Sequence, residues 1–162
     1  MKDNNLSNEL FFSFRLGTGM FAVPVAYVKE VFNFTARTVV PNSLDYLKGV
    51  MNIRGSVVSI IDLRKLFGFN PSDDLSETTV IDLELPKEGE KPFEISIIAD
   101  EVDIVTKLPI IQADSANYGI PEEQRYFVRA VARQGEQFIL ILDLDKIVEF
   151  IKSDVEKAKK IS

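Results

Sequence analysis

The 162-residue sequence contains no cysteine and no histidine. The first absence removes disulfides, thiolate nucleophiles and sulfur-ligated metal sites. The second removes the commonest general base, the usual imidazole metal ligands and any phosphate-accepting histidine. Carboxylates, lysine, serine and tyrosine remain, so catalysis is disfavoured without being excluded. No uninterrupted apolar run approaches the roughly 18 residues of a membrane span. The polar start MKDNNLSNEL has no apolar core of the kind a secretory signal needs. Clustered cations are scarce as well: the net charge is −6, which argues against a nucleic-acid backbone as partner. The one Lys-rich run, Lys157, Lys159 and Lys160, ends a predicted helix, where cations complement the macrodipole. The expectation is a cytoplasmic protein that neither binds nucleic acid nor inserts into a membrane.

What is present is the composition of a folding chain, with 46% hydrophobic and 27% charged residues; disorder requires lower hydrophobicity. The length suits one domain, or two small lobes sharing a core. Leu10, Phe12, Phe14 and Leu16 alternate with Phe11, Ser13 and Arg15 at strand period. Gly17-Thr18-Gly19 turns the chain into a second apolar run, Met20 to Val25, in which Pro24 marks a strand end or an edge. Tyr27, Val28, Val31 and Phe32 fall at helical spacing and predict a short helix. Strands are expected at Arg37–Val40, Val50–Arg54 and Val57–Ile61, with Arg54-Gly55-Ser56 as the hairpin connection.

A polar stretch from Gly68 to Glu77 reads as a surface loop between lobes. Strands follow at Thr78–Leu85, Phe93–Ala99 and Val102–Lys107, the first two joined through the charged segment Pro86 to Pro92. Leu108 to Glu123 reads as a long irregular connection. A last hairpin, Tyr126–Arg133 and Phe138–Leu142, turns at Gln134 to Gln137. The chain closes with a helix carrying Ile147, Ile151 and Val155 on one face. Arg54 to Phe67 and Gln134 to Val148 repeat one order of events: a Gly turn, an apolar strand, an Asp-Leu step and a helical pattern. Asp62 and Asp143 occupy the N-cap position in each. This echo suggests two similar lobes, and short strands punctuated by Gly and Pro fit barrels or a sandwich better than a parallel α/β sheet.

Four groups of residues invite a chemical reading. Asp100, Glu101 and Asp103 could hold Mg²⁺ or Ca²⁺, or form a carboxylate pair for acid–base work, although their spacing matches no calcium loop and a solvated turn is favoured. Gly17-Thr18-Gly19 lacks the helix and Lys of a phosphate cradle, so a hairpin turn is favoured there too. Ser13, Ser56 and Ser59 have no histidine to activate them. Glu30 and Arg54 are two charges in apolar neighbourhoods, and surface charge is the default reading of both.

The segment Tyr46 to Gly68, in which LKGVMNIRGSVVSIIDLRKLFG follows Tyr46, closely resembles the signature of CheW-type chemotaxis coupling proteins. The elements that carry the resemblance are Gly49-Val50, Asn52, Arg54-Gly55, the apolar strand Val57 to Ile61 and Asp62-Leu63-Arg64. FFSFRLGTGMFAVPVAYVKEV looks like that family's opening, SIIADEVDIV like its second-lobe strand pair, and ILILDLDKIV like its closing strand and helix. Ser59 departs from the pattern, standing where many relatives place Pro; the connection around Tyr118 and the Lys-rich tail follow no pattern.

The resemblance implies a mainly β fold: two small five-stranded β-barrel lobes packed across a shared hydrophobic core, with short helices and a C-terminal helix. It implies one CheW-like domain over residues 1–162, with lobe one at about 17–75, lobe two at about 76–150 with the N-terminal strand as a candidate addition, and the helix at 143–160. It implies a non-catalytic scaffold, without cofactor or metal, that couples transmembrane chemoreceptors to the histidine kinase CheA. The partners would be the kinase's regulatory domain, the cytoplasmic receptor tip and other CheW-like modules in rings, with the protein peripheral to membrane receptor arrays. The length left over accommodates no kinase or receiver domain, which favours a stand-alone adaptor. Carried over residue by residue, Val28, Glu30, Gly49 and Arg54 form the coupling surface, with Glu30 and Arg54 as a charged pair. Ile95, Ile98 and Ala99 are weaker candidates for a receptor-facing seam, with core packing at least as good a reading of all three.

Overall fold

Alternating and continuous apolar runs fill most of the chain, and both become strands. The computed structural model describes residues 9–41, 43–112 and 122–161. In order these form β1 (Leu10–Leu16), β2 (Gly19–Pro24), a 3₁₀ turn (Val25–Tyr27), β3 (Val28–Asn33), β4 (Leu47–Ile53), β5 (Ser56–Ile61) and α1 (Leu63–Leu66). There follow β6 (Thr79–Leu85), β7 (Phe93–Ala99), β8 (Glu101–Lys107), β9 (Ile110–Gln112), α2 (Glu122–Arg125), β10 (Val128–Gln134), β11 (Gln137–Leu142) and α3 (Leu144–Ile161). The expected connection around Tyr118 lies outside the described residues.

Two sheets result, one of five strands in the order β3-β6-β7-β5-β4 and one of six in the order β8-β1-β2-β11-β10-β9. The echo between Arg54–Phe67 and Gln134–Val148 is structural. β5 and β11 each close a hairpin, each lies parallel to a strand of the other hairpin in its sheet, and each leads into a helix. Asp62 and Asp143 cap those helices through Oδ1, accepting from Arg64 N at 3.0 Å and Lys146 N at 3.1 Å.

The sheets divide the chain differently from the expected boundary near residue 75. β6 and β7 complete the five-stranded sheet, and β2, expected in the first lobe, joins β1 and the C-terminal hairpin. The reason is register. β7 pairs along its length with β6 while lying beside β5, so the sheet begun at β3 is incomplete until Ala99. The second sheet also gains the three-residue β9, for six strands rather than five. Neither ladder closes fully. In the five-stranded sheet a single bridge, Thr38 to Val50, ties the chain leaving one edge strand to the opposite edge strand.

That bridge is all that forms of the strand expected at Arg37–Val40. The expected helix over Tyr27–Phe32 is also replaced. Only Val25–Tyr27 make a helical turn, and Val28–Asn33 extend as β3, paired with β6. Val28, Val31 and Phe32 are β-branched or aromatic, side chains that pack well on a pleated surface, and six-residue pairing outweighs one amphipathic turn.

Runs without clean alternation are explained by burial on both faces of a strand. Each sheet has its own inner cluster: Met51, Ile53, Val58, Ile60, Val80 and Ile98 in the five-stranded lobe, and Phe11, Ala22, Ala130, Ala132, Ile139 and Ile141 in the other. The opposite faces meet in a larger shared core, where Phe14, Leu16, Phe21 and Val23 pack with Ile81, Leu83, Ile95 and Ile97. The helix α3 closes this core with Ile147 and Ile151, and Val155 packs against it as its periodicity predicts. Phe21, Phe67 and Phe127 form a ring contact series across it, with centroids 5.3 Å and then 5.7 Å apart. Full burial of each such side chain contributes about 1.5–3 kcal/mol, so the shared core is what makes two small lobes one body.

Candidate functional site

Glu30 and Arg54 are 24 residues apart and come together on the five-stranded lobe. Arg54 sits with Gly55 at the tip of the β4–β5 hairpin, where both residues have positive φ, 51° and 88°. Two such residues between paired strands make a type I′ turn, whose twist matches that of the strands. Glycine takes this conformation freely, whereas Arg54 holds an uncommon one. Asn52 Oδ1 accepts from Gly55 N at 2.9 Å and fixes the tip. The turn delivers the guanidinium to Glu30 on β3: Nε lies 3.3 Å from Oε2, and Nη2 donates to Oε1 at 3.3 Å.

The Arg54 side chain is 78% exposed and that of Glu30 is 31% exposed. A pair this open adds about 0–1 kcal/mol to stability. Its physical content is therefore a charged fork, held at a fixed place on the surface. Val31 and Val57, the sequence neighbours of Glu30 and the turn, are exposed large apolar side chains. Val28 is half-buried at the start of β3 and packs against the shared core.

Gly49 is of another kind. It is buried on β4 with φ at 128°, and a Cβ there would overlap the Thr38 carbonyl oxygen and approach Thr38 C to 3.0 Å and Val39 Cα to 3.3 Å. The backbone that approaches Gly49 so closely belongs to the same chain. Ile95, Ile98 and Ala99 take the core-packing position that the sequence left open for them. Ile95 and Ala99 lie in the shared core and Ile98 inside the five-stranded lobe, all at most 3% exposed. Both faces of β7 are covered by the chain itself.

The acidic cluster separates. Asp100 Oδ1 accepts from Arg64 Nη1 at 2.6 Å, and its Oδ2 accepts from Gly17 N at 2.7 Å. Glu101 pairs with Arg15 at 3.5 Å, and Asp103 is exposed on β8. Among the described residues no three carboxylates are placed to hold a metal ion. Gly17 and Thr18 are the β1–β2 turn, as expected.

Three polar features escaped the sequence reading. Arg64, at 5% exposure, forks onto Asp62 at 2.9 and 3.0 Å and reaches Asp100, joining α1 to the β7–β8 junction. Burial alone would lower its pKa, and the hydrogen bonds and charges of Asp62 and Asp100 outweigh this and raise it. Its signals were its place after an apolar strand and cap and its part in the Asp62-Leu63-Arg64 step. Tyr46 Oη donates to Asp154 Oδ2 at 2.6 Å and pins α3 to the chain entering β4. Burial first, and Asp154 second, push this phenol well above the usual tyrosine range. Tyr46→Phe should lower stability by about 1 kcal/mol in urea unfolding, with Asp154 recovering water as its partner; no change in midpoint would show that the bond is not formed in solution. The third feature, Asp82 and Glu94, was legible only as polar residues within apolar strands.

The fold and surface define a class before any comparison is made: a two-lobed β body whose shared elements are apolar, whose buried Arg64 is paired into the frame, and whose β4–β5 tip carries an exposed charged fork. Known proteins place it further. The family model for the CheW-like domain matches residues 10–152. The probable chemotaxis protein CheW of Rhizobium etli is 26% identical over 159 residues, covering 95% of this chain and 96% of that protein. The chemotaxis protein CheW of Klebsiella aerogenes is 28% identical over 138 residues, covering 85% and 80%. Among solved structures, the scaffolding protein TtCheW from Thermoanaerobacter tengcongensis superposes with a TM-score of 0.70 at 22% identity, covering 83% of this chain and 88% of that one.

The chain belongs to the CheW-like family. It is a non-catalytic chemotaxis adaptor.

Proposed function

We propose that this chain couples the cytoplasmic tips of chemoreceptors to a CheA-type histidine kinase, and that Glu30 and Arg54 mark the surface used. The observation that carries this reading is the exposed fork between β3 and the β4–β5 turn. It costs a strained arginine conformation and returns little stability, which fits a side chain kept for recognition. Val31 and Val57 are exposed apolar side chains on the same lobe, and apolar contact with fixed charge is the combination on which specific interfaces rely. The kinase's regulatory domain is the expected partner at this surface. An amphipathic receptor helix would dock in the helix-in-groove mode, and other CheW-like modules would extend the assembly into rings. The protein then works in the cytoplasm beneath the receptor array. No helix among the described residues is long and apolar enough to cross a membrane.

Arg54→Glu tests the reading. It places two carboxylates together in exposed positions, so the thermal midpoint should move little. Capture of a CheA-type kinase should fall at least about tenfold, the loss of roughly 1.4 kcal/mol. If wild-type protein captures no kinase, the adaptor reading fails; if Arg54→Glu captures it as well as wild type, the fork is not the surface.

A further inference from the structure

Two buried carboxyl oxygens among the described residues have no hydrogen-bond partner, Asp82 Oδ2 and Glu94 Oε2. They belong to one site. Asp82 on β6 is fully buried and in register with Ser96 on β7; Glu94 lies two residues before Ser96, on the same face. Asp82 Oδ1 is satisfied, accepting from Ser96 Oγ at 3.0 Å. The register Asp82↔Ser96 and Glu84↔Glu94 sets Asp82 and Glu94 diagonally on one face of the β6–β7 pair, a spacing that long side chains bridge. Two ionised carboxylates offer only acceptors, so neither can satisfy the other. One proton between them satisfies both.

We propose that Asp82 and Glu94 together bind a single proton at neutral pH, shared between Asp82 Oδ2 and Glu94 Oε2, and that this proton helps to hold β3 on the five-stranded lobe. β3 is the neighbour of β6, and the pairing of the two shifts register between Val28 and Glu30, opposite Leu83 and Asp82. From β3, Lys29 faces the site, 3.5 Å from Glu94 Oε2 and 3.2 Å from Glu84 Oε2. Glu30 stands directly across from Asp82 and is paired with Arg54 of the β4–β5 turn. Glu84 comes from Asp82's own strand, and Glu94 and Ser96 come from β7. Four carboxyl groups thus face two cations, and a proton reduces the excess of negative charge at the buried end of the group, where Asp82 and Ser96 are fully enclosed.

The electrostatic balance supports this geometry. Burial, then Glu94, push Asp82 up to about 7 against the opposing pull of Ser96 and Lys29. A carboxyl raised in the folded state favours the fold while it is protonated. Its contribution is therefore full below the ordinary carboxylate range, near 4, and is lost as pH rises through about 7.

The test is read on the protein alone and does not depend on any partner. Carboxyl ¹³C shifts followed from pH 4 to 9 should show one titration of the pair near pH 7, missing in Asp82→Asn. The thermal midpoint of wild type should fall about 2–4 °C more than that of Asp82→Asn between pH 6 and 8. Asp82→Asn keeps an acceptor for Ser96 and offers Glu94 a fixed donor, and Glu94→Gln supplies the reciprocal variant. Complete ionisation of both wild-type carboxyls below pH 5 would overturn the proposal. So would equal pH dependence of the midpoint in wild type and both variants. Should the variants fail to fold, the wild-type titration decides.

Discussion

Arg64→Ala is expected to destabilise the protein by about 3–5 kcal/mol, the cost of leaving one partner of a buried ion pair uncompensated. Asp62 is fully buried, and the Arg64 guanidinium provides two of its hydrogen bonds, at 2.9 and 3.0 Å. Without it, Asp62 retains the backbone amide of residue 64, at 3.0 Å, as its cap interaction. Asp100 loses its 2.6 Å contact but keeps Gly17 N. The damage also crosses between sheets, because Asp100 stands at the passage from β7 of one sheet to β8 of the other. Urea unfolding gives the size of the loss. A second substitution, Asp62→Asn, identifies its cause: asparagine still caps α1 but carries no charge to strand. In the Arg64→Ala background it should recover on the order of half the loss, whereas in wild type it should destabilise. A loss below about 1 kcal/mol for Arg64→Ala would show that water reaches the pair and that the clamp is not dry.

How much of this was legible beforehand depended on how local the determinant was. Strands such as Phe93–Ala99 emerged with their limits because apolar runs bounded by Pro, Gly and charge specify themselves. The hairpin at Arg54-Gly55 and the caps at Asp62 and Asp143 depend on a few adjacent residues, and these too were visible. Sheet membership was not. β2 and β7 occupy equivalent positions in the two sheets, and nothing in either strand states which hairpin it will lie beside; that is decided by the parallel pairings with β11 and β5. The segment Val28–Asn33 misled because its apolar residues satisfy a helical and an extended pattern equally over one turn, and only β6 settles the choice. For Ile95, Ile98 and Ala99 the ambiguity has a different source. In strands covered on both faces, a buried residue and a groove-lining one look alike in sequence. Glu30 and Arg54 could be suspected as a pair only through resemblance, since the 24 residues between them carry no periodicity that brings them together.

Gly49 marks the point at which stability and recognition must be told apart. Gly49→Val should destabilise by at least about 3 kcal/mol, since a positive φ in a β-branched residue and a clash with fixed backbone add to one another. The clash begins at Cβ, against the Thr38 carbonyl and the Val39 backbone, so Gly49→Ala should already carry most of the loss. The Thr38 segment cannot simply move aside. Thr38 N donates to Val50 O at 2.8 Å and Val50 N donates to Thr38 O at 2.9 Å, the one bridge between the edges of the five-stranded sheet. A substitution at Gly49 therefore opens that seam and disturbs β4, the strand that leads to Arg54. Any fall in kinase capture by Gly49→Ala should then track the fraction of folded protein as urea or temperature is varied. Arg54→Glu should lose capture while fully folded. If Gly49→Ala lies within about 0.5 kcal/mol of wild type and still abolishes capture, Gly49 touches the partner directly and its burial here describes only the unbound protein.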